Sequence, residues 1–541
     1  MDRSIVRGAT RGVIVLLAAA CGAAQPPAPS GAPHQASPRA TLITNALLID
    51  GTGAPPRQAS VRVIGDRIAA VGDLRPAAGD EVIDARGLAL APGFIDTHSH
   101  ADAHLAGHRD ALAHVSQGIT TAIVGQDGGS QDTLSTFFAR LDSTPGALNV
   151  ASYVGHNTVR YQVLGENYKR PATADEIERM KTLVAGGMRA GALGLSTGLE
   201  YDPGIYSTPD EVIELAREAA RHGGRYISHI RSEDRTFWAA VDEVLEIGRR
   251  ANMPVQISHA KLAMRALWGH ADSLIRVLDA ARRSGVDVTL DIYPYPYWQS
   301  SLTVLFPERQ YGDTPEALAA ARFALDQLAP ADGLLLSRYA PNPAYVGKTI
   351  ADIARERGAD PAQTYLQLIR DAEALRADTA RRRALAPDGA VEMVIGTSMD
   401  ERDIENLLRW PHANVSSDGA LVDRHPRGAG AFPRVLGRYV RERRALTFAD
   451  AIRKMTSLAA AHVGLSDRGT IAVGQYADLV LFDTARVLDR ATPAEPGLLS
   501  VGVDRVWVNG EVVFEHGRPT GRHPGRVLRR APRRSSPLEV R

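Results

Sequence analysis

Cysteine is almost missing from this chain. Cys21 stands alone among 541 residues, so no disulfide can form within it. Lysine is nearly as scarce: Lys169, Lys181, Lys261, Lys348 and Lys454 are the only ones, and arginine carries the remaining positive charge. Each lysine position is therefore easier to weigh. Neither sign of charge is in excess. The formal net charge of +1 gives no reason to expect nucleic acid or an acidic partner. The N-terminal apolar run "GVIVLLAAAC" is too short to span a bilayer as a permanent helix. The composition that remains, 44% hydrophobic and 23% charged, is that of an ordinary globular protein. The length allows a large core and more than one domain.

The N-terminus reads as a targeting segment. Arg3, Arg7 and Arg11 precede the apolar run, which ends in small residues and Cys21. This is similar to a bacterial lipoprotein signal, whose cysteine is lipidated and becomes the mature N-terminus. Ala18 departs from the commonest leucine of that box, which leaves ordinary signal cleavage as the alternative. Residues 1–21 are thus expected to be a signal peptide, and the Pro/Ala-rich 22–40 a disordered linker. Together they predict an exported, periplasmic, lipid-anchored protein.

Short strand-like runs with turn residues occupy 41–92 and return over 465–515, as in "SVRVIGDRIAAVG" and "VDRVWVNGEVVFEHG". Their placement predicts one β-sandwich closed by both ends of the chain. Between them, 93–464 alternates apolar runs with amphipathic stretches, the pattern of a parallel α/β fold. Eight runs can be counted: "GFIDTH", "TTAIVG", "NVASYVG", "GALGLST", "RYISHI", "VQISHA", "VTLDIYP" and "ANVSSDG". Eight units predict a (β/α)8 TIM barrel with its catalytic groups at the C-terminal strand ends. An insertion is expected at about 295–400. The strand-like "VEMVIGTS" inside it competes for a place in the barrel. The arginine-rich 516–541 is read as a disordered basic tail.

The strand ends carry the chemistry. In "PGFIDTHSH" the period-two pattern of a strand aims His98 and His100 the same way, as a divalent metal requires. The second strand ends in Asp127 of "GQDG", the fifth in His229, the sixth in His259 and Lys261, and the eighth in Asp418. Asp127 and Asp418 each precede a glycine and could serve as turn residues. Convergence of four histidines and two aspartates on one rim is not what turn chemistry predicts. Lys261, two residues beyond His259, should face the same mouth.

These motifs resemble the amidohydrolase superfamily. Within it, "GALGLSTGLEYDPGIYSTPDEV", "YISHIRSED", "VQISHAK", "DIYPYPY", "HPRGAGAFPRVLGRYVRE" and "AIRKMTSLAAAHVGL" resemble the N-acyl-D-amino-acid deacylases, or D-aminoacylases, over about 41–515. The resemblance implies zinc, one or two ions per chain, on His98, His100, Asp127, His229, His259 and Asp418. Many family members carry a bridging cysteine where this chain has Asp127. A carboxylate is harder and less electron-donating than a thiolate. Other amidohydrolases use a carboxylated lysine on strand four, and this fourth strand has no lysine. The resemblance further implies that Tyr293 and Arg427 bind the substrate carboxylate.

Zinc on such ligands would lower the pKa of a bound water toward ~7, with Asp418 moving the proton to the departing amine. Lys261 and Arg231 are further substrate-binding candidates, Arg231 against an ion pair with Glu233 or Asp234. His156 is expected to line the cavity, and His104, His108 and His114 to lie on a helix surface. The expected activity is hydrolysis of linear amides of small molecules: N-acyl-D-amino acids or dipeptides ending in a D-residue. The alternatives are a cyclic amide hydrolase of the dihydropyrimidinase or hydantoinase type and a non-catalytic solute-binding lipoprotein.

Overall fold

In the computed structural model, residues 40–131 and 133–530 are described. Cys21, the signal segment and most of the linker lie outside them. Among the described residues no helix is long and apolar enough to cross a membrane.

Both ends of the described chain build one nine-stranded sheet. The N-terminal part contributes Ala40–Leu48, Arg57–Ile64, Arg67–Gly72, Glu81–Asp84 and Ala89–Pro92. The C-terminal part contributes Leu479–Phe482, Val503–Val508, Glu511–Glu515 and Arg518–Pro519. The seam is an antiparallel pairing of Leu479–Phe482 with Ala89–Pro92. Alternating apolar residues from both parts, among them Ile43, Val61, Leu90, Leu479, Leu481 and Trp507, meet in one buried core. The hydrogen bonding is continuous through one sheet rather than divided between two.

The intervening chain forms the barrel. Its strands are Phe94–Asp96, Ile119–Val124, Asn149–Ser152 continued by Val154–Gly155, Gly194–Gly198, Arg225–His229, Val255–Ile257, Val288–Ile292 and Ala413–Val415. All neighbouring pairs are parallel. Strands one and eight meet just beyond their ends, where Asp418 N donates to His98 O at 2.8 Å and His100 N to Gly419 O at 2.9 Å. The strands are buried on both faces, which explains why they read as apolar runs. The crossover helices begin at caps written in the sequence: Thr173 and Glu176 form a capping box on Ala174–Ala190, and Thr208 caps Pro209–Arg221.

The insertion after strand seven holds a separate three-stranded antiparallel sheet of Tyr297–Ser300, Leu334–Tyr339 and Glu392–Thr397. "VEMVIGTS" is the central strand of that sheet and takes no place in the barrel. The Tyr297–Ser300 strand lies over the barrel mouth and contributes Trp298, Gln299 and Ser300 to the cavity there.

The tail departs from expectation. Residues through Arg530 dock on the barrel instead of leaving it. Arg526 O accepts from Val150 N at 2.9 Å, Leu528 N donates to Val150 O at 2.8 Å, and Arg530 N donates to Gly191 O at 2.9 Å. The segment satisfies backbone groups beside strand three, a role that arginine-rich composition does not reveal.

Candidate metal centre

Each expected ligand sits where its strand ends. His98 is completely buried, with Nε2 3.4 Å from Asp127 Oδ1 and 3.5 Å from Asp418 Oδ1. His100 Nε2 lies 3.1 Å from Asp418 Oδ1 and 3.4 Å from Asp127 Oδ2. His259 Nε2 lies 3.3 Å from Asp127 Oδ1 and 3.0 Å from His229 Nδ1. Ligand atoms of His98, Asp127, His259 and Asp418 all lie within 4.8 Å of one another, as do those of His229, Glu233 and His259. The carboxylate of Asp127 faces imidazoles with both oxygens.

The site's unpaired polar atoms fit a cation. Both ring nitrogens of His98 and Oδ1 of Asp127 are buried without a hydrogen-bond partner, a costly condition unless something else occupies them. The backbone is also constrained: Asp127, His259 and Asp418 take φ of 51°, 32° and 50°, in the left-handed region that non-glycine residues rarely adopt. Gly128 completes the Asp127 turn at φ +73°, where an added Cβ would meet Asn157 Oδ1 at 2.1 Å. Burial opposes ionisation of Asp127, yet the imidazoles of His98, His259 and His100 hold its carboxyl well below its ordinary range. Burial likewise opposes charge on Asp418, and Arg427, His259 and His100 overcome it.

Three buried histidines turn their second nitrogen toward a carboxylate that sequence reasoning did not assign. His229 Nε2 lies 2.8 Å from Glu200 Oε2, and His259 Nδ1 lies 3.1 Å from Glu233 Oε1 and 2.7 Å from Lys261 Nζ. His98 Nδ1 lies 3.8 Å from Asp291 Oδ1, which also accepts from His259 N at 2.9 Å. Such partners orient metal-ligating imidazoles. Asp291 left a legible trace, an acid inside the apolar run "VTLDIYP". Glu200, two residues past strand four, left none.

Lys261, Tyr293 and Arg427 line the cavity above the ligands. Lys261 Nζ is 2.6 Å from Glu233 Oε1, and Arg427 bonds Asp418. The Tyr293 hydroxyl and Arg427 Nε are buried without partners, and the guanidinium stands 4.9 Å over the Tyr293 ring. These groups present donors to an incoming anion.

Three expectations are corrected. Arg231 turns away from the cavity and makes a two-fold hydrogen bond with Glu243, both contacts at 2.8 Å. Its partner is neither Glu233 nor Asp234, because the next helix brings Glu243 to it. His156 does not line the cavity. It opens the helix His156–Leu164, and its Nε2 contacts Glu211 at 2.9 Å beside buried Arg160. His114 is buried rather than on a helix surface, 3.0 Å from Ser99 Oγ. His104 is half-buried and His108 exposed, and their rings lie 6.3 Å apart.

A parallel barrel with histidines and carboxylates gathered at metal-binding distances around its mouth defines a metal-dependent barrel enzyme. The chain belongs to the amidohydrolase family, whose pattern matches residues 81–514. It is 39% identical to the N-acyl-D-glutamate deacylase of Alcaligenes xylosoxydans xylosoxydans over 90% of this chain and 96% of that protein. It is 35% identical to the D-aminoacylase of the same organism, over 90% of this chain and 97% of that one. The crystal structure of the N-acyl-D-glutamate deacylase of Bordetella bronchiseptica, complexed with zinc and a phosphonate inhibitor mimicking the tetrahedral intermediate, matches with a TM-score of 0.78. It is 36% identical and covers 90% of this chain and 99% of that one.

Proposed function

We propose that this protein is a zinc-dependent deacylase that hydrolyses the linear amide bond of N-acyl-D-amino acids and releases the free D-amino acid. The observation that carries the reading is the meeting of His98, Asp127, His259 and Asp418 within 4.8 Å, directly below the cavity lined by Lys261, Tyr293 and Arg427. Preference for the D-form rests on the kinship with the D-amino-acid deacylases. His98, His100, Asp127, His229 and His259 would hold the metal, with Asp418 beside them. When bound there, zinc supplies Lewis acidity that ionises water near neutral pH and polarises the scissile carbonyl.

The chain's own groups do the rest. Lys261, Arg427 and the Tyr293 hydroxyl anchor the substrate carboxylate and so fix the amide over the ligands. Asp418 lies between His100 and Arg427 and is ionised, ready to take a proton from water. It then returns that proton to the departing nitrogen, because an unprotonated amine leaves poorly. Glu200, Glu233 and Asp291 hold the imidazole rings in register.

The cyclic-amide alternative is disfavoured by strand four, which offers Glu200 to His229 and no lysine to bridge metals. Export and lipid anchoring at Cys21 are supported by the N-terminal run alone. They are tested by membrane fractionation and by loss of the lipid label in Cys21→Ala.

The activity test is amine release from N-acetyl-D-amino acids, their L-forms, L,D-dipeptides, hydantoin and dihydrouracil, with and without zinc. Zinc-dependent release from the D-forms is expected. Hydrolysis confined to the cyclic amides, or binding of every compound without turnover, would refute the reading.

A further inference from the structure

The relatives include deacylases named for D-glutamate and D-aspartate, whose products carry a second carboxylate. The cavity of this chain argues for a different side chain. Glu200, Glu233, Asp234 and Asp418 line it, against only two lining cations, Lys261 and Arg427. Both are engaged: Lys261 is 2.6 Å from Glu233, and Arg427 bonds Asp418. The unpaired donors that remain, on Tyr293 and Arg427, are those given above to the α-carboxylate in the proposed mechanism.

The nearby arginines offer no second anchor. Arg231 is taken by Glu243. Arg235 reaches the outer side of the wall, donating to Leu305 O at 3.4 Å with Asp234 3.8 Å away. Arg309 is held by Asp202 at 3.3 Å and by the carbonyls of Glu200, Thr303 and Phe306. Besides His229 and His259 of the metal centre, the lining includes an apolar wall of Trp298, Val304 and Leu305, in which Trp298 and Leu305 are both 7% exposed.

We infer that the enzyme takes N-acyl-D-amino acids with neutral, apolar side chains and rejects acidic ones, and that the wall of Trp298, Val304 and Leu305 sets this preference. The inference rests on the deacylase reading above and goes beyond it. The reason is desolvation. A side chain such as leucine or methionine gains by leaving water against this wall. A second carboxylate would be buried with no free cation and with carboxylates already around it.

The test uses the zinc-loaded full chain. kcat/KM is measured for N-acetyl-D-leucine, N-acetyl-D-methionine, N-acetyl-D-glutamine and N-acetyl-D-glutamate. The apolar substrates should exceed the glutamate by about a hundred-fold or more, the scale of an unpaired buried charge. Glutamine against glutamate keeps the shape and isolates the charge, and glutamine should win by about ten-fold. Equal or higher rates with glutamate overturn the inference while leaving the deacylase reading intact. If none of the four is hydrolysed by zinc-loaded enzyme, the deacylase reading itself fails and the inference falls with it.

A second arm places a cation on the wall. Ser300→Arg and Val304→Arg both alter half-buried positions. Either should raise the glutamate-to-leucine ratio of kcat/KM by about ten-fold if the side chain lies there. An unchanged ratio in both variants, with metal content and circular dichroism unaltered, overturns the assignment of the wall.

Discussion

Replacing Asp127 tests the carboxylate at the middle of the centre, which faces three imidazoles. Two roles predict different outcomes. As a turn residue, Asp127 would hold the strand-two loop through backbone hydrogen bonds. Among the described residues its carboxylate accepts none, and the loop is closed by Gly129 N donating to Gln126 O at 2.8 Å. What the carboxylate touches is His98 at 3.4 Å, His259 at 3.3 Å and His100 at 3.4 Å. Asp127→Asn keeps the shape and the tolerance for φ of 51° but removes the charge. Outer partners of metal ligands are worth about 10–100-fold in affinity, so loss of a bridging ligand should exceed the upper end, about 2.7 kcal/mol or more. Asp127→Ala should behave alike and add about 1 kcal/mol of backbone strain to the metal-free protein. Asp127→Cys should keep zinc, since thiolate is a good zinc ligand. The assay is metal content by mass spectrometry after dialysis against graded chelator, beside kcat/KM. Full zinc retention and full turnover in Asp127→Asn would refute the bridging role.

The other expectations concern groups around the centre. Glu200→Gln should weaken zinc binding by about 10–100-fold and change the visible spectrum of the cobalt-substituted protein; an unchanged chelator titration and spectrum would show that Glu200 does not orient His229. Glu211 is buried with His156 and Arg160, so Glu211→Gln should destabilise by about 3–5 kcal/mol in urea unfolding. Burial opposes the charge of Glu211, but His156 and Arg160 lower its pKa. Its contribution is therefore present above the unfolded value near ~4.3 and is lost as pH falls through the lower folded value. The stability difference between wild type and Glu211→Gln should accordingly shrink toward low pH, and a constant difference would contradict the pairing. Truncation after Arg522 removes the backbone bonds to Gly146, Val150 and Gly191 and should cost roughly 2–5 kcal/mol. An unaltered Tm would mean the docked segment adds nothing.

Much of the barrel was legible because its signals are local. A buried parallel strand is an apolar run, and a histidine or aspartate at its end needs only the strand's own period to be aimed at the mouth. That is how His98, His100, His229, His259 and Asp418 could be placed together without knowing any contact. The groups that were missed or misplaced are governed by pairings between distant segments. Arg231 lies two residues from Glu233 in sequence, yet the bend after strand five turns it to Glu243 on the following helix. His156 ends strand three as the ligands end theirs, but the chain enters a helix there and its ring meets Glu211 on another helix. The docked tail was invisible for a further reason: it is held by backbone groups, which composition does not encode.

The same distinction explains how the substrate and metal sites are joined. Lys261 was legible as a neighbour of His259, two residues away on one strand. Its partner was not, because Glu233 comes from the loop after strand five. In the folded protein Glu233 Oε1 lies 2.6 Å from Lys261 Nζ and 3.1 Å from His259 Nδ1. Burial opposes the charge on Glu233, and Lys261, His229 and His259 hold its pKa down to about 2. One ionised oxygen thus contacts both Lys261 and His259, the groups that the proposed mechanism gives to the substrate carboxylate and to the metal. Lys261 Nζ also lies 2.7 Å from His259 Nδ1, so in the proposed mechanism a shift of Lys261 toward substrate would change the field on His259 directly. The strand period aims each group at the mouth and brings the two into contact, and a carboxylate from the neighbouring loop touches both.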